Sequence, residues 1–113
     1  MAKFECKLRG NTEEILNTID EEICGGSATA SFEDGSDFIT DSGKCFVRVY
    51  ERFSAMGGNR VSLNITLFET AYNEIFMSAV TSGGSQAVFF KMMTVGEETF
   101  LDVVKEAVER FMV

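Results

Sequence analysis

Three arginines and a tyrosine near the middle of the chain have side chains that suit the binding of an anion. Arg48, Tyr50 and Arg52 alternate along one segment, and Arg60 follows them closely. A guanidinium offers forked donors to a carboxylate or a phosphate, and a tyrosine ring adds a flat apolar surface. These four residues predict a module that binds a small anionic, partly apolar ligand.

Catalytic chemistry has little support in this sequence. Histidine, the commonest general base and a common metal ligand, is absent. The spacing brings no nucleophile, base and orienting group together, so we do not predict an enzyme and expect neither a metal nor a cofactor. The three cysteines are odd in number and have no CxxC spacing, which favours free thiols in a reducing cytoplasm.

Size and charge restrict the kind of protein and its partners. The 113 residues suit one domain, 1–113, and the net charge of −8 opposes binding to nucleic acid or to an anionic membrane. The N-terminus has no apolar run, and no apolar stretch approaches the roughly 20 residues that span a bilayer. We therefore expect a cytoplasmic protein whose partners include neither nucleic acid nor a membrane.

Hydrophobic spacing predicts an α+β fold. Alternation with a period of two indicates strands at residues 3–9, 27–33, 44–53, 60–69, 74–82 and 86–93. Helical spacing follows Asn11, which has capping-box spacing to Glu14, and recurs over residues 97–112. The predicted architecture is an antiparallel meander sheet of five or six strands with two helices packed on one face, in the order β-α-β-β-β-β-β-α. The alternative is a curved sheet that grips the C-terminal helix, with a cavity between them.

Matching the apolar faces of neighbouring strands predicts their register, because directly paired residues share a face. An odd-numbered loop near Gly57 pairs Val49 with Ile65. This register puts Cys45, Val47 and Val49 on the helix side of the sheet.

Two further hairpins follow from the same matching. An odd-numbered loop near Ala71 pairs Ile65 with Met77. A two-residue turn at Gly83 and Gly84 starts the strand at 86–93 and pairs its apolar residues with those of 74–82.

Three local features complete the prediction. Asp34 and Gly35 indicate a turn, and Phe38 and Ile39 either extend the preceding strand or lie in a loop. Glu51 falls on the inner face, where burial would raise its pKa and suit a general acid or base, unless strand twist brings it to water.

The opposite face of the predicted sheet is unusually aromatic. Alternate positions place on it the side chains of Phe46, Tyr50, Phe68, Phe76 and Phe89. A solvated sheet face is mostly polar, and a contiguous apolar area of this kind marks an interaction surface. We therefore predict self-association through this face, most simply as a homodimer. Two alternatives remain, because the loop 35–43 could cover part of the face, or the face could be the platform for the small ligand.

Acidic side chains are concentrated on the two predicted helices. Ten of the 18 acids fall there: Glu13, Glu14, Asp20, Glu21, Glu22, Glu97, Glu98, Asp102, Glu106 and Glu109. Helices that point these acids outward would keep a dimer soluble.

Four stretches together resemble a known family. They are SFEDGS at 31–36, VRVYERF at 47–53, GGNRVSLN at 57–64 and TSGGSQAVFFK at 81–91. The chain is similar over nearly its whole length to a family of small uncharacterised bacterial proteins, a domain of unknown function seen mainly in anaerobic Gram-positive bacteria. The resemblance implies a stand-alone cytoplasmic protein and brings no activity, cofactor or catalytic residue.

Overall fold

In the part of the chain that the structure describes, alternating and helical hydrophobic spacing produce five antiparallel strands and two helices, which confirms the α+β prediction. The structure, a computed structural model, describes residues 1–26, 29–53, 60–83 and 100–113. The elements in chain order are β1 (Ala2–Leu8), α1 (Thr12–Gly26), β2 (Ala30–Thr40), β3 (Gly43–Phe53), β4 (Arg60–Thr70), β5 (Ile75–Gly83) and α2, which is helical over 100–108 and continues as a 3-10 turn at Glu109–Phe111. The predicted strand at 86–93 and its pairing lie outside the described residues.

The described strands form one open sheet in the order β1-β5-β4-β3-β2, so β4 is the middle strand of these five and β1 and β2 are their edges. Strands β2 to β5 follow one another as a meander, and β1 joins at the far side by pairing with β5. The sheet therefore remains open rather than wrapping around the C-terminal helix.

Helix α1 begins where the sequence predicts. The backbone N–H of Glu14 donates to Asn11 Oδ1 at 2.9 Å, which caps the first turn. Ile15, Ile19 and Ile23 then follow at helical spacing and are almost completely buried. The helix packs this stripe against the sheet.

The C-terminal helix covers the same side of the sheet as α1. Its buried side chains are Phe100, Leu101, Val104, Ala107, Val108 and Phe111. After the 3-10 turn the chain pairs with β1, where the backbone N–H of Arg9 donates to the Phe111 carbonyl at 2.7 Å. This contact fixes the end of the chain beside an edge strand.

The middle strand supplies the centre of the core. Leu63, Ile65 and Leu67 alternate along β4 and have no exposed surface, which confirms the predicted inner face of this strand. They form one hydrophobic cluster with the buried stripes of both helices and with the inward residues of β1 and β5.

The register of β3 on β4 differs from the prediction by one residue. Arg48 lies opposite Ile65, and Tyr50 lies opposite Leu63, so the predicted pairing of Val49 with Ile65 is wrong. A one-residue shift exchanges the two faces of a strand. The alternating residues Cys45, Val47 and Val49 therefore face away from the helices, and Lys44, Phe46, Arg48, Tyr50 and Arg52 face toward them.

The observed register is favourable because it buries the larger side chains of β3. An aromatic ring removes more apolar surface from water than a valine does, and Tyr50 is only 1% exposed. On the same face the Arg48 guanidinium donates to Asp37, and the Arg52 guanidinium lies over the Phe100 ring. The apolar alternation of Cys45, Val47 and Val49 predicted the wrong face for β3. These three side chains are small, so burying them contributes less than burying the Tyr50 ring.

The β4–β5 hairpin confirms the predicted faces but shifts the pairs by two residues. Ile65 lies opposite Ala79 instead of Met77. Five residues lie between Glu69 and Ile75, the last pair of this hairpin, which is an odd number as predicted. Among them Asn73 has φ of 62°, a left-handed conformation that asparagine tolerates.

The turn predicted at Asp34 and Gly35 is also wrong, because β2 continues through both residues to Thr40. The strand contains an irregularity between Phe32 and Asp34, where one extra residue is accommodated as a bulge. Gly35 allows close approach to β3, since a Cβ there would lie 2.7 Å from the Val47 carbonyl oxygen. Residues 35–40 therefore form an edge strand and do not cover the sheet as a loop.

Glu51 lies on the face away from the helices, opposite Ser62, and not on the inner face. Its carboxylate forms an ion pair with Arg60, with 3.2 Å between Oε1 and Nη1. A role as a buried general acid or base therefore has no structural support.

The close approach at Gly35 gives a test of the β2–β3 pairing. We expect Gly35→Ala to lower the free energy of unfolding by about 2 kcal/mol, because the added methyl group displaces the backbone of β3. Gly25→Ala is the control, since a Cβ there meets nothing within 4 Å and alanine favours a helix. Urea denaturation of the two variants measures the difference, and equal stabilities would contradict the assigned pairing.

Candidate functional site

No described helix covers one side of the sheet, here called the outer face, and three phenylalanines lie in one row on it. Direct pairing across the strands aligns Phe38 of β2, Cys45 of β3, Phe68 of β4, Phe76 of β5 and Lys7 of β1. The three phenylalanines are 62%, 44% and 43% exposed, in that order along the row. Exposed aromatic surface of this kind is typical of interaction sites.

Among the described residues, the centre of the outer face carries no charge. In the phenylalanine row and the next two rows, the nine positions on β3, β4 and β5 are Cys45, Val47, Val49, Asn64, Thr66, Phe68, Phe76, Ser78 and Val80. Charged side chains appear at its two margins. Lys3, Glu5 and Lys7 lie on β1, and Asp34 lies on β2.

The predicted aromatic interface is divided by the observed register. Phe68 and Phe76 lie on the outer face, opposite each other, as predicted. Phe46 and Tyr50 lie on the helix side, so their predicted position on the outer face is wrong. Phe89 is outside the described residues.

Phe38 belongs to the outer face, although the prediction left its position open. The alternation of Ser36, Phe38 and Thr40 is the signal that could have placed it, once β2 is known to continue past Gly35. Because a turn at Asp34 and Gly35 would end the strand there, the alternation of the following residues was not interpreted as part of β2.

A second candidate surface lies on the helix side of the sheet. It is a concave surface, here called the α1–β3 groove. Its near wall is the α1 face Glu13, Leu16, Asn17 and Asp20, its floor is Phe46, Arg48 and Tyr50 of β3, and its far wall is Phe32, Asp37 and Ile39 of β2. A wider part of about 500 Å³ and a narrower part of about 250 Å³ meet at Glu13, Leu16 and Arg48.

Arg48 is held in place by β2. Its Nη1 donates to Asp37 Oδ1 at 2.6 Å and to the Val47 carbonyl at 2.9 Å. The ion pair with Asp37 compensates the guanidinium charge within the sheet. Arg48 is therefore already bound to a carboxylate of the chain itself.

Tyr50 connects the floor of the groove to helix α1. Its hydroxyl donates to Asp20 Oδ1 at 2.9 Å, and its ring packs edge-to-face on Phe32 with 5.6 Å between centroids. Burial raises the pKa of Tyr50 above its ordinary value, and the hydrogen bond to the Asp20 carboxylate raises it further.

The four residues predicted to bind an anion do not converge. Arg48 and Tyr50 both line the groove. Arg52 lies on the same side of the sheet, with its guanidinium carbon 5.8 Å from the Phe100 ring centre, and Arg60 pairs with Glu51 on the outer face. The groove walls are acidic, so an anionic ligand remains a prediction that this arrangement does not favour.

Sequence reasoning missed the groove wall on α1. Glu13, Leu16, Asn17 and Asp20 have the spacing of one helix face, next to the buried isoleucine stripe. That spacing alone shows only a helix face with both polar and apolar side chains. The predicted register of β3 also turned Phe46, Arg48 and Tyr50 away from this helix face. The groove emerges only when Phe46, Arg48 and Tyr50 are brought under this face.

The three cysteines are free thiols in three different settings. Cys6 packs against the core, and burial raises its pKa. Cys24 lies on α1, where burial raises its pKa and the nearby Asp20 charge adds to the effect. Cys45 lies in the phenylalanine row of the outer face.

Two classes of site have no candidate in the part of the chain that the structure describes. Within residues 1–26, 29–53, 60–83 and 100–113, no three acidic or thiol side chains gather closely enough to hold a metal ion. Among the helices of these ranges, none combines the length and apolar character that crossing a membrane requires.

The Tyr50–Asp20 contact predicts a specific pH dependence of stability. The pKa of Tyr50 is higher in the folded protein than in the unfolded chain, where it is about 10. Its contribution to stability is present below about pH 10 and is lost as the pH rises further, because only the unfolded chain then releases the proton. We expect Tyr50→Phe to show a shallower fall in the urea midpoint between about pH 9.5 and 11.5. Tyr72→Phe, at an exposed ring, is the control, and identical slopes for Tyr50→Phe and the unmodified protein would contradict the assignment.

Comparison with known proteins adds a family but no activity. No curated protein and no solved structure matches the chain. One family model matches residues 1–112, nearly the full length of the chain, in agreement with the resemblance seen in the sequence. The chain belongs to DUF6054, a family of unknown function.

Proposed function

We propose that this protein is a homo-oligomeric interaction module that dimerises through its outer face. The observation that carries the proposal is a row of three exposed phenylalanines beside the uncharged centre of a sheet face, on a chain of net charge −8. Two copies of such a chain repel each other, so they approach most favourably where neither carries charge. The described helices carry exposed acids and lie on the other side of the sheet.

The size of the outer face suits a dimer of this kind. Five strands about 4.8 Å apart and about seven residues long at ~3.3 Å per residue give a flat area on the order of 500 Å². The side-chain relief of the face raises its accessible area toward the roughly 800 Å² per partner that stable interfaces bury. Two sheets packed face to face would bury the phenylalanine row of each copy.

The charged margins favour one orientation of the two copies. A two-fold axis parallel to β4, the middle strand, places β1 of one copy over β2 of the other. Lys3 and Asp34 belong to the same row across the sheet, so this axis brings Lys3 near the partner's Asp34. An axis perpendicular to the strands would place like margins on each other, which is less favourable.

The first test of the proposal changes the middle of the phenylalanine row. We expect the protein to be a dimer at tens of micromolar by sedimentation equilibrium, and Phe68→Asp to raise the dimer Kd at least thirtyfold, about 2 kcal/mol. The cause is the desolvation of a carboxylate in an apolar interface. Tyr72→Asp is the matched control, because it adds the same charge at an exposed aromatic residue outside the row.

Thiol labelling gives a second readout of the same interface. Alkylation of Cys45 should slow as the protein concentration rises through the dimer Kd, because Cys45 lies within the row. Alkylation of Cys24, on the helix side, should not change with concentration. A monomer at all concentrations, or equal behaviour of the two thiols, would exclude the outer face as the interface.

A charge exchange tests the orientation independently. We expect Lys3→Asp and Asp34→Lys each to weaken the dimer several-fold, as marginal ion pairs contribute at most about 1 kcal/mol. The double variant should recover most of the affinity, because the pair is restored with its signs reversed. Additive losses in the double variant would reject the axis parallel to β4 while leaving dimerisation itself intact.

A further inference from the structure

The α1–β3 groove has the size and lining of a small-molecule site. The narrower part, which Glu13, Asp20 and Phe32 line, has a volume of about 250 Å³, just below the roughly 300–1,000 Å³ typical of clefts for drug-sized ligands, and therefore suits a slender ligand. Leu16, Phe32 and Phe46 supply apolar surface along the groove. The groove lies on the helix side of the sheet, so binding there does not require the outer face or the proposed dimer.

The uncompensated charge of the groove is negative. Glu13 makes no ion pair with any described residue, and the described partners of Asp20 are the Tyr50 hydroxyl at 2.9 Å and the Cys24 thiol at 4.0 Å, neither of which is cationic. The cation between them, Arg48, is neutralised by Asp37. Lys44 lies at the far end of the wider part, beside Glu69 in the pairing of β3 with β4. The wall on α1 therefore attracts a cationic ligand.

The two acids on this wall have a defined separation. Seven residues of helix place Glu13 and Asp20 about 10 Å apart along α1, on the same face, with Leu16 between them. Phe32 is half exposed at the Asp20 end and offers a ring to an ammonium group. A chain with an amine at each end and methylene groups between matches this order of charge, apolar surface and charge.

We propose that the α1–β3 groove binds a linear aliphatic polyamine. One ammonium group contacts Glu13, the second contacts Asp20 beside Phe32, and the methylene chain lies along Leu16. The acid pair and the apolar wall together select a cation with separated charges, whereas a single acid on a helix would attract any cation equally.

The proposal is tested by calorimetric titration of the full chain with diamines of increasing chain length and with spermidine, at constant ionic strength. We expect an optimum at the length that spans Glu13 and Asp20, and roughly tenfold weaker binding of a monoamine of the same length. The absence of binding, or an affinity that depends on ligand charge but not on length, would overturn the proposal.

Matched variants of α1 separate a local site from general electrostatics. Glu13→Gln with Asp20→Asn should weaken diamine binding at least tenfold, whereas Glu21→Gln with Glu22→Gln removes the same charge from outside the groove and should change it less than twofold. Equal losses in the two double variants would overturn the proposal.

Because Asp20 also bonds Tyr50, Glu13→Gln alone serves as a further variant that breaks no contact given by the structure. Binding retained by the Phe68→Asp variant would show that the groove acts independently of the dimer.

Discussion

The pairing of β3 with β4 determines what each side of the sheet presents. A shift of one residue would turn Tyr50 away from the helices and bring Val47 and Val49 toward them. In the observed register the Tyr50 ring is buried, and its hydroxyl is bonded to Asp20. Arg48 is paired with Asp37 in the same arrangement. Burial of the larger ring together with bonded polar groups favours this register over one that buries only small side chains.

Both candidate surfaces follow from this register. On the outer face it leaves Cys45, Val47 and Val49 beside the uncharged side chains of β4 and β5. On the helix side it brings Arg48 and Tyr50 under a mixed face of α1 and so forms the floor of the groove. The same pairing thus turns the basic side chains of β3 away from the outer face and places Arg48 in the groove.

The outer face and the α1–β3 groove differ in charge and therefore suit different partners. The outer face is neutral at its centre, with bases on β1 and an acid on β2 at its margins, which suits a second copy of the same chain. In the groove Arg48 is compensated by Asp37, and Glu13 and Asp20 have no cationic partner among the described residues, which suits a cation. For a protein of net charge −8, the first surface minimises repulsion between two copies, and the second attracts a cation.

The sequence by itself determined the elements and most of their buried faces. Asn11 with Glu14, the isoleucine stripe of α1 and the alternation of Leu63, Ile65 and Leu67 predict local structure correctly, because helix caps and hydrophobic periods act over a few residues. The odd-numbered loop before β5 was also predictable, since both strands it joins have one clearly apolar face.

Tertiary structure alone decided the faces of β3 and the continuation of β2. Along β3 both faces carry apolar side chains, so periodicity does not rank them, and the packing of Tyr50 against α1 selects one. Asp34 and Gly35 suit a turn locally, but pairing with β3 extends them and uses glycine for close backbone approach. The groove depends on both of these outcomes, because its walls come from α1, β2 and β3, which meet only in the folded sheet.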